Sequence, residues 1–239
     1  MEFKIAINIV AFILCVLGSF LTVSADAVTP PTHNYTVTQN DVTCVVLNGG
    51  FQLVIPYTSN SKNYTTTVSV SNITTVNGTC DRNVNVLNIY FYKNWKLSFI
   101  FINTTVDHYS IGSINLTYGM TTSQFKNLST TQVGQMITQS SDLPQNTSTG
   151  PFGGSYLCSG ETTLSLNAGI TLKIYNIQYR AFGKTKSGAF SQKNIENCLL
   201  STPVPDMNTA AAVIVGIALG SMMVVVIVLY VIISKARGL

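Results

Sequence analysis

Apolar positions along this 239-residue chain fall into two regimes: unbroken runs at both ends, and alternation with polar residues between them. After Lys4, the uncharged run Ile5 to Leu21 is followed by the small residues of Val23-Ser24-Ala25 and Ala25-Asp26-Ala27. A charged start, an apolar middle and a small-residue end predict a secretory signal over residues 1–25. The competing reading, an N-terminal membrane anchor, fits poorly with the polar, Pro-containing segment Asp26 to Thr32 that follows at once. At the other end, Thr209 to Ile233 is 25 residues without a charge. At about 1.5 Å per residue it crosses a hydrocarbon core of about 30 Å with some tilt, which predicts one transmembrane helix over 209–233. The tail 234–239 carries Lys235 and Arg237 whereas the other flank carries Asp206, so the tail is expected in the cytosol and residues 26–208 in a lumen or outside.

Between the runs the period is two. Thr43 to Leu47 and Phe51 to Ile55 flank the turn-forming Asn48-Gly49-Gly50, a hairpin candidate. Leu87, Ile89 and Phe91 alternate with Asn88, Tyr90 and Tyr92, and after Lys93-Asn94 the positions Leu97, Phe99 and Phe101 alternate with Lys96 and Ser98. This is the pattern of paired antiparallel strands with one face in a core. In Ile111 to Tyr118, the apolar Ile114, Leu116 and Tyr118 share one face and Asn115 and Thr117 the other. The alternation Ile170, Leu172, Ile174 changes parity beyond Asn176 to Ile177, Tyr179, Ala181, which predicts a bulge or a strand changing sheets. Helical periodicity is absent between the terminal runs, and Thr130 to Gly154, rich in Ser, Thr, Gln, Asn and Gly, reads as a long polar connection. The fold class expected is all-β: an antiparallel, sandwich-like lumenal domain plus one C-terminal membrane helix.

Composition sharpens the topology. Only 9% of residues are charged and 46% are hydrophobic. The formal charge of +4 falls to +2 once the ends are removed, because residues 26–208 hold ten Lys/Arg against eight Asp/Glu. That balance excludes a nucleic-acid partner. Acceptors of the form Asn-x-Ser/Thr occur at Asn34, Asn63, Asn72, Asn77, Asn103, Asn115, Asn127 and Asn146, as expected of a chain that passes through the secretory pathway. None lies between Gly150 and Asn208, so this stretch is the surface expected to meet a partner. Cys15 lies in the signal, which leaves Cys44, Cys80, Cys158 and Cys198 in an oxidising compartment, with three pairings open.

Candidate chemistry is scarce. A metal site is the competing use of four cysteines, but there is no Cys-x-x-Cys pair and His33 and His108 are the only histidines. Gly150, Gly153 and Gly154 follow no strand and open no helix, and no Ser, His and acid set falls in a recognisable motif. No catalysis, cofactor or small-molecule substrate is therefore expected. Trp95 and Tyr175 read as turn and sheet packing, and Arg180, Lys184, Lys186 and Lys193 as a solvated basic edge. In the membrane span, Ala212, Gly216 and Gly220 share a helical face, and Gly216-x-x-x-Gly220 would support homo-oligomers.

The residues also match a family. Cys44 with Phe51-Gln52-Leu53-Val54-Ile55-Pro56-Tyr57, then Asn77-Gly78-Thr79-Cys80 and the strand pair around Leu87 and Leu97, resemble the first half of a lysosome-associated membrane protein (LAMP) domain. Ser155-Tyr156-Leu157-Cys158, Tyr179-Arg180-Ala181-Phe182, and Phe190 eight residues before Cys198 resemble the second half. The resemblance implies sequential pairing, Cys44 with Cys80 and Cys158 with Cys198, and a β-prism of packed sheets. It also implies a glycoprotein of lysosomal or late endosomal membranes, without catalysis, with structural, protective and membrane-traffic roles. The chain differs from the large members in having a single such domain, with only Val28 to Thr38 as a remnant of their hinge. Its tail, Ser234 to Leu239, also lacks their Gly-Tyr-x-x-apolar signal. These departures support the alternative of a trafficking or sorting partner of a membrane-protein cargo, in transport vesicles or at the cell surface.

Overall fold

The computed structural model describes residues 29–144 and 148–198. The predicted signal, the 209–233 span with Ala212, Gly216 and Gly220, the tail and the acceptor Asn146 lie outside the described residues. Among the described residues no helix is long and apolar enough to cross a membrane.

Among the described residues, twelve strands form two six-stranded sheets. The first holds β1 (His33–Gln39), β2 (Val42–Ser59), β3 (Lys62–Ser69), β10 (Ser155–Ser165), β11 (Thr171–Arg180) and β12 (Ile195–Asn197). The second holds β4 (Ile73–Cys80), β5 (Val84–Phe91), β6 (Trp95–Asn103), β7 (His108–Gly119), β8 (Met136–Asp142) and β9 (Thr149–Pro151). All pairings are antiparallel except the short one between β10 and β12. The sheets bury their inward rows against each other, as a sandwich must. Leu87, Ile89, Phe91, Leu97, Phe99 and Phe101 are fully buried, on the faces their alternation predicts. Aromatic rings cross the interface at three levels. Tyr179 meets Phe101 at 5.4 Å and Phe51 meets Phe99 at 5.2 Å between centroids. At the third level Phe125 lies between Tyr57, at 5.1 Å, and Trp95, at 6.1 Å.

The structure corrects three expectations. Asn48-Gly49-Gly50 is not a turn, because β2 runs through it for 18 residues. Gly49 and Gly50 mark a change of neighbour: along one edge β2 pairs with β1 up to Gly49 and with β3 from Gln52, while β11 runs along the other edge. The carbonyl oxygen of Pro30 would lie 2.7 Å from a Cβ on Gly50, a close backbone approach that only glycine permits. Thr130 to Gly154 is not one irregular connection, since it contains β8 and β9. β8 escapes the apolar pattern because it is an edge strand with no buried residue. Nor is Val28 to Thr38 wholly a hinge remnant, since Tyr35 and Val37 of β1 enter the core. The parity change near Asn176 is a bulge, facing a second one in β10 where the Gly160 N–H donates to Asn176 Oδ1 at 2.8 Å.

At Gly78 on β4 a Cβ would lie 1.8 Å from the carbonyl oxygen of Val86 on β5. Gly78→Ala must part these strands just before Cys80. At about 1–3 kcal/mol for overpacking, the thermal midpoint of the domain is expected to fall by roughly 5 °C. Gly188→Ala, whose Cβ meets nothing closer than Thr36 Cγ2 at 3.7 Å, should leave the midpoint unchanged.

Candidate functional surface

Cys44, Cys80, Cys158 and Cys198 form two bridges, in the sequential pairing that the family resemblance implies. Cys44 on β2 joins Cys80 at the end of β4, with Cα atoms 5.8 Å apart, and so ties one sheet to the other. Cys158 on β10 joins Cys198, with Cα atoms 5.0 Å apart, and so fixes the last described residue to the first sheet. Each closes a loop of similar size, with sequence separations of 36 and 40.

Seven of the eight acceptors lie among the described residues, on both sheets and on the links between them. Asn34 is on β1, Asn63 on β3, Asn77 on β4, Asn103 at the end of β6 and Asn115 on β7. Asn72 and Asn127 lie in connections. Six are exposed, and Asn115 is half-buried, between β6 and β8.

A feature the sequence pattern did not reveal is a polar row across the outer face of the second sheet. Asn77, Asn88, Ser98, Asn115 and Ser140 stand opposite one another on five successive strands. Asn88 Nδ2 donates to Asn77 Oδ1 at 3.1 Å, and Ser98 Oγ donates to Asn88 Oδ1 at 2.7 Å. The bond to Asn77 uses its oxygen and not its Nδ2, the atom to which an N-linked sugar attaches. Two acceptors thus sit in one register row, three strand spacings or about 14 Å apart. Strand register, which the alternation alone does not contain, is what brings them into line.

The side without acceptors is formed by β10, β11, β12 and the connection from Ala181 to Asn194. Arg180 is not part of a solvated strip. It is 7% exposed, and its Nη1 and Nη2 donate to the carbonyls of Ala189 and Ser187 at 2.8 and 2.7 Å, pinning that connection to the sheet. Lys184, Lys186 and Lys193 are exposed as expected. On the same sheet Lys173 Nζ lies 2.9 Å from Glu161 Oε1. The hydrogen bond from Lys173 holds the Glu161 carboxyl below its ordinary value, and the same bond holds the Lys173 amine up. Trp95 and Tyr175 are buried packing residues. Glu196 accepts from Thr149 Oγ1 at 3.1 Å and lies 3.5 Å from His108, linking β12 to β9 and β7.

Burial pushes the hydroxyls of Tyr109 and Tyr179 far up, so both stay neutral from acid to neutral pH. Among the described residues no three His, Cys, Asp or Glu side chains converge as metal ligands. A shallow hollow of about 450 Å³, lined by Pro56, Tyr57, Asn63 and Tyr64 among others, opens to solvent and holds no acid or base pair.

A family model described as the luminal domains of lysosome-associated membrane glycoprotein 2-like proteins matches residues 21–199, most of the chain. The chain belongs to the lysosome-associated membrane glycoprotein family. Lysosome-associated membrane glycoproteins 1 and 2 of Gallus gallus are each 26% identical to it over 206 and 207 residues. These alignments cover 85% of the chain but 46% and 44% of the relatives, so the chain spans about half their length. Among solved structures, the membrane-proximal domain of mouse lysosome-associated membrane protein 1 is similar in fold, with a TM-score of 0.59 at 23% identity. It covers 71% of this chain and 98% of that domain. The membrane-distal domain of mouse lysosome-associated membrane protein 2 has a TM-score of 0.57 at 24% identity, covering 70% and 99%.

In this LAMP domain each bridge is worth roughly 4 kcal/mol in the chain-entropy estimate, a large part of a typical stability of about 5–15 kcal/mol. Cys80→Ala releases the inter-sheet tie and should hold the protein in the endoplasmic reticulum, seen as sugars that stay sensitive to endoglycosidase H. Maturation at the normal rate would contradict that role. A second expectation concerns acid. Because the folded Glu161 carboxyl titrates below its ordinary value of 4.5, the stability from its pairing is present above about pH 4.5. It is lost only as the pH falls through the lower folded value. A carboxyl titration followed by NMR should show the Glu161 midpoint below 4.5, returned toward that value by Lys173→Met.

Proposed function

We propose that the chain is a single-pass glycoprotein of lysosomal or late endosomal membranes, whose lumenal domain serves as a sugar-bearing coat and not as a catalyst. The observation that carries this reading is the placement of the acceptors: a domain of this family presents seven of them, six exposed, over both sheets and their links. Sugars spread in that way hinder proteases from reaching the backbone of either sheet. The core supports the same role, since its two bridges and its buried aromatic interface do not titrate in acid, and the Glu161–Lys173 pairing is present above about pH 4.5. The uncharged 209–233 segment supplies the membrane attachment in this reading.

A second reading, a recognition module for a membrane-protein cargo, draws on the acceptor-free side. β10 to β12 and the connection held by Arg180 form an ordered surface on which a partner meets protein and not sugar. Full-length protein carrying an epitope tag after Asp26 separates the two. The coat reading expects carbonate-resistant membrane attachment, a large mobility shift on removal of N-linked sugars, and steady-state overlap with an acidic-organelle marker. Residence at the cell surface or in transport vesicles, moving only with a co-purified membrane protein, would favour the second reading. Carbonate extraction of the intact chain would reject both.

A further inference from the structure

The outer face of the second sheet carries an apolar patch that no protein element described here covers. Outward positions on β5 and β6 form two cross-strand pairs, Val84 with Ile102 and Val86 with Ile100. Val84 is 37% exposed and the other three are half-buried. Four aliphatic β-branched side chains clustered on the outer face of a sheet, one exposed and three half-buried, offer an occupant an apolar footing. The acceptors of the polar row stand on both sides of this patch. Thr79 is opposite Val86 and Ser113 is opposite Ile100, so Asn77 and Asn115 are each diagonal neighbours of the patch, about 7–8 Å away across one strand spacing.

We propose that the N-linked sugars on Asn77 and Asn115 lie over Val84, Val86, Ile100 and Ile102 and take the place of a protein layer on that face. This rests on the reading of the chain as a glycoprotein, and singles out two of its acceptors as structural. The linkage geometry suits it. The Asn88 bond to Asn77 Oδ1 fixes that side chain within the row while leaving Nδ2 for the sugar. Asn115, half-buried between β6 and β8, holds its first sugar low against the sheet. The ring faces of N-acetylglucosamine are rows of C–H groups, which pack on aliphatic side chains while the hydroxyls at the ring edge keep their water. A protein partner reaching the same four side chains would have to pass between two sugar chains roughly 14 Å apart.

The test uses the full chain purified from glycosylating cells, with occupancy of each acceptor read by mass spectrometry. Thr79→Ala with Thr117→Ala removes both acceptors while keeping Asn77, Asn88 and Asn115 in place. Hydroxyl-radical labelling of Val84, Val86, Ile100 and Ile102 should roughly double, in proportion to the area uncovered. Thr36→Ala with Thr65→Ala, which removes the acceptors Asn34 and Asn63 on the first sheet, should leave that labelling unchanged. A third variant adds Ile100→Ser and Ile102→Ser to the first pair, and should abolish any self-association that the uncovered patch produces. Circular dichroism and the thermal midpoint report whether each variant is folded. As a check independent of substitution, enzymatic removal of N-linked sugars from the folded wild-type protein should raise the same labelling. The proposal is overturned if Asn77 and Asn115 are bare in the wild-type protein while other acceptors are occupied, an outcome that leaves the glycoprotein reading standing. It is equally overturned if labelling stays low after the sugars are lost, which would assign the face to a second copy or another protein.

Discussion

Everything in this domain depends on two sheets being removed from water together, because each has its fully buried apolar rows on one face. The contact between Phe51 of β2 and Phe99 of β6 lies at the middle of that interface. The ring pairs on either side, Phe101 with Tyr179 and Trp95 with Phe125, extend it toward the two ends. Each fully buried ring contributes a few kcal/mol through the area it withdraws from water. On the surface the domain carries amides, hydroxyls and lysines.

Much of this was legible along the chain wherever one face of a strand is buried and the other is not. The alternations in β5, β6 and β7 identify the inward rows, down to Asn115 facing outward. The parity change at Asn176 points to a bulge or a strand changing sheets, and the structure shows the bulge. Two kinds of element escaped. β8 lays only Ile137 against the core and fully buries no residue, so its residues carry little alternation of hydrophobicity to read. β2 contains Gly49-Gly50, the usual mark of a turn, where the chain needed close backbone approach and not reversal.

The surface was less legible than the fold, for a related reason. Acceptor motifs are local and can be found by inspection, but their arrangement depends on register between strands distant in sequence. Asn77 and Asn115 are separated by 38 positions and stand in one row only because β4, β5, β6 and β7 pair as they do. Arg180 illustrates the same point in reverse. Its neighbours in sequence suggest a solvated basic edge, whereas its guanidinium is enclosed by the carbonyls of Ser187 and Ala189.

β2 works as the keel of the first sheet. One of its edges is paired with β11 from Val46 to Val54, and the other with β1 and then β3. Its two halves are therefore locked in phase. Inserting or deleting one residue within it would turn one half inside out relative to the other, exchanging Leu53 and Ile55 for Gln52 and Val54 at the core while Val45 and Leu47 stayed in place. Hairpin tips of the domain can lengthen or shorten without such a penalty. Descent within this family is thus free to change loop length, whereas the interval from the first cysteine to Tyr57 has to be inherited as a unit.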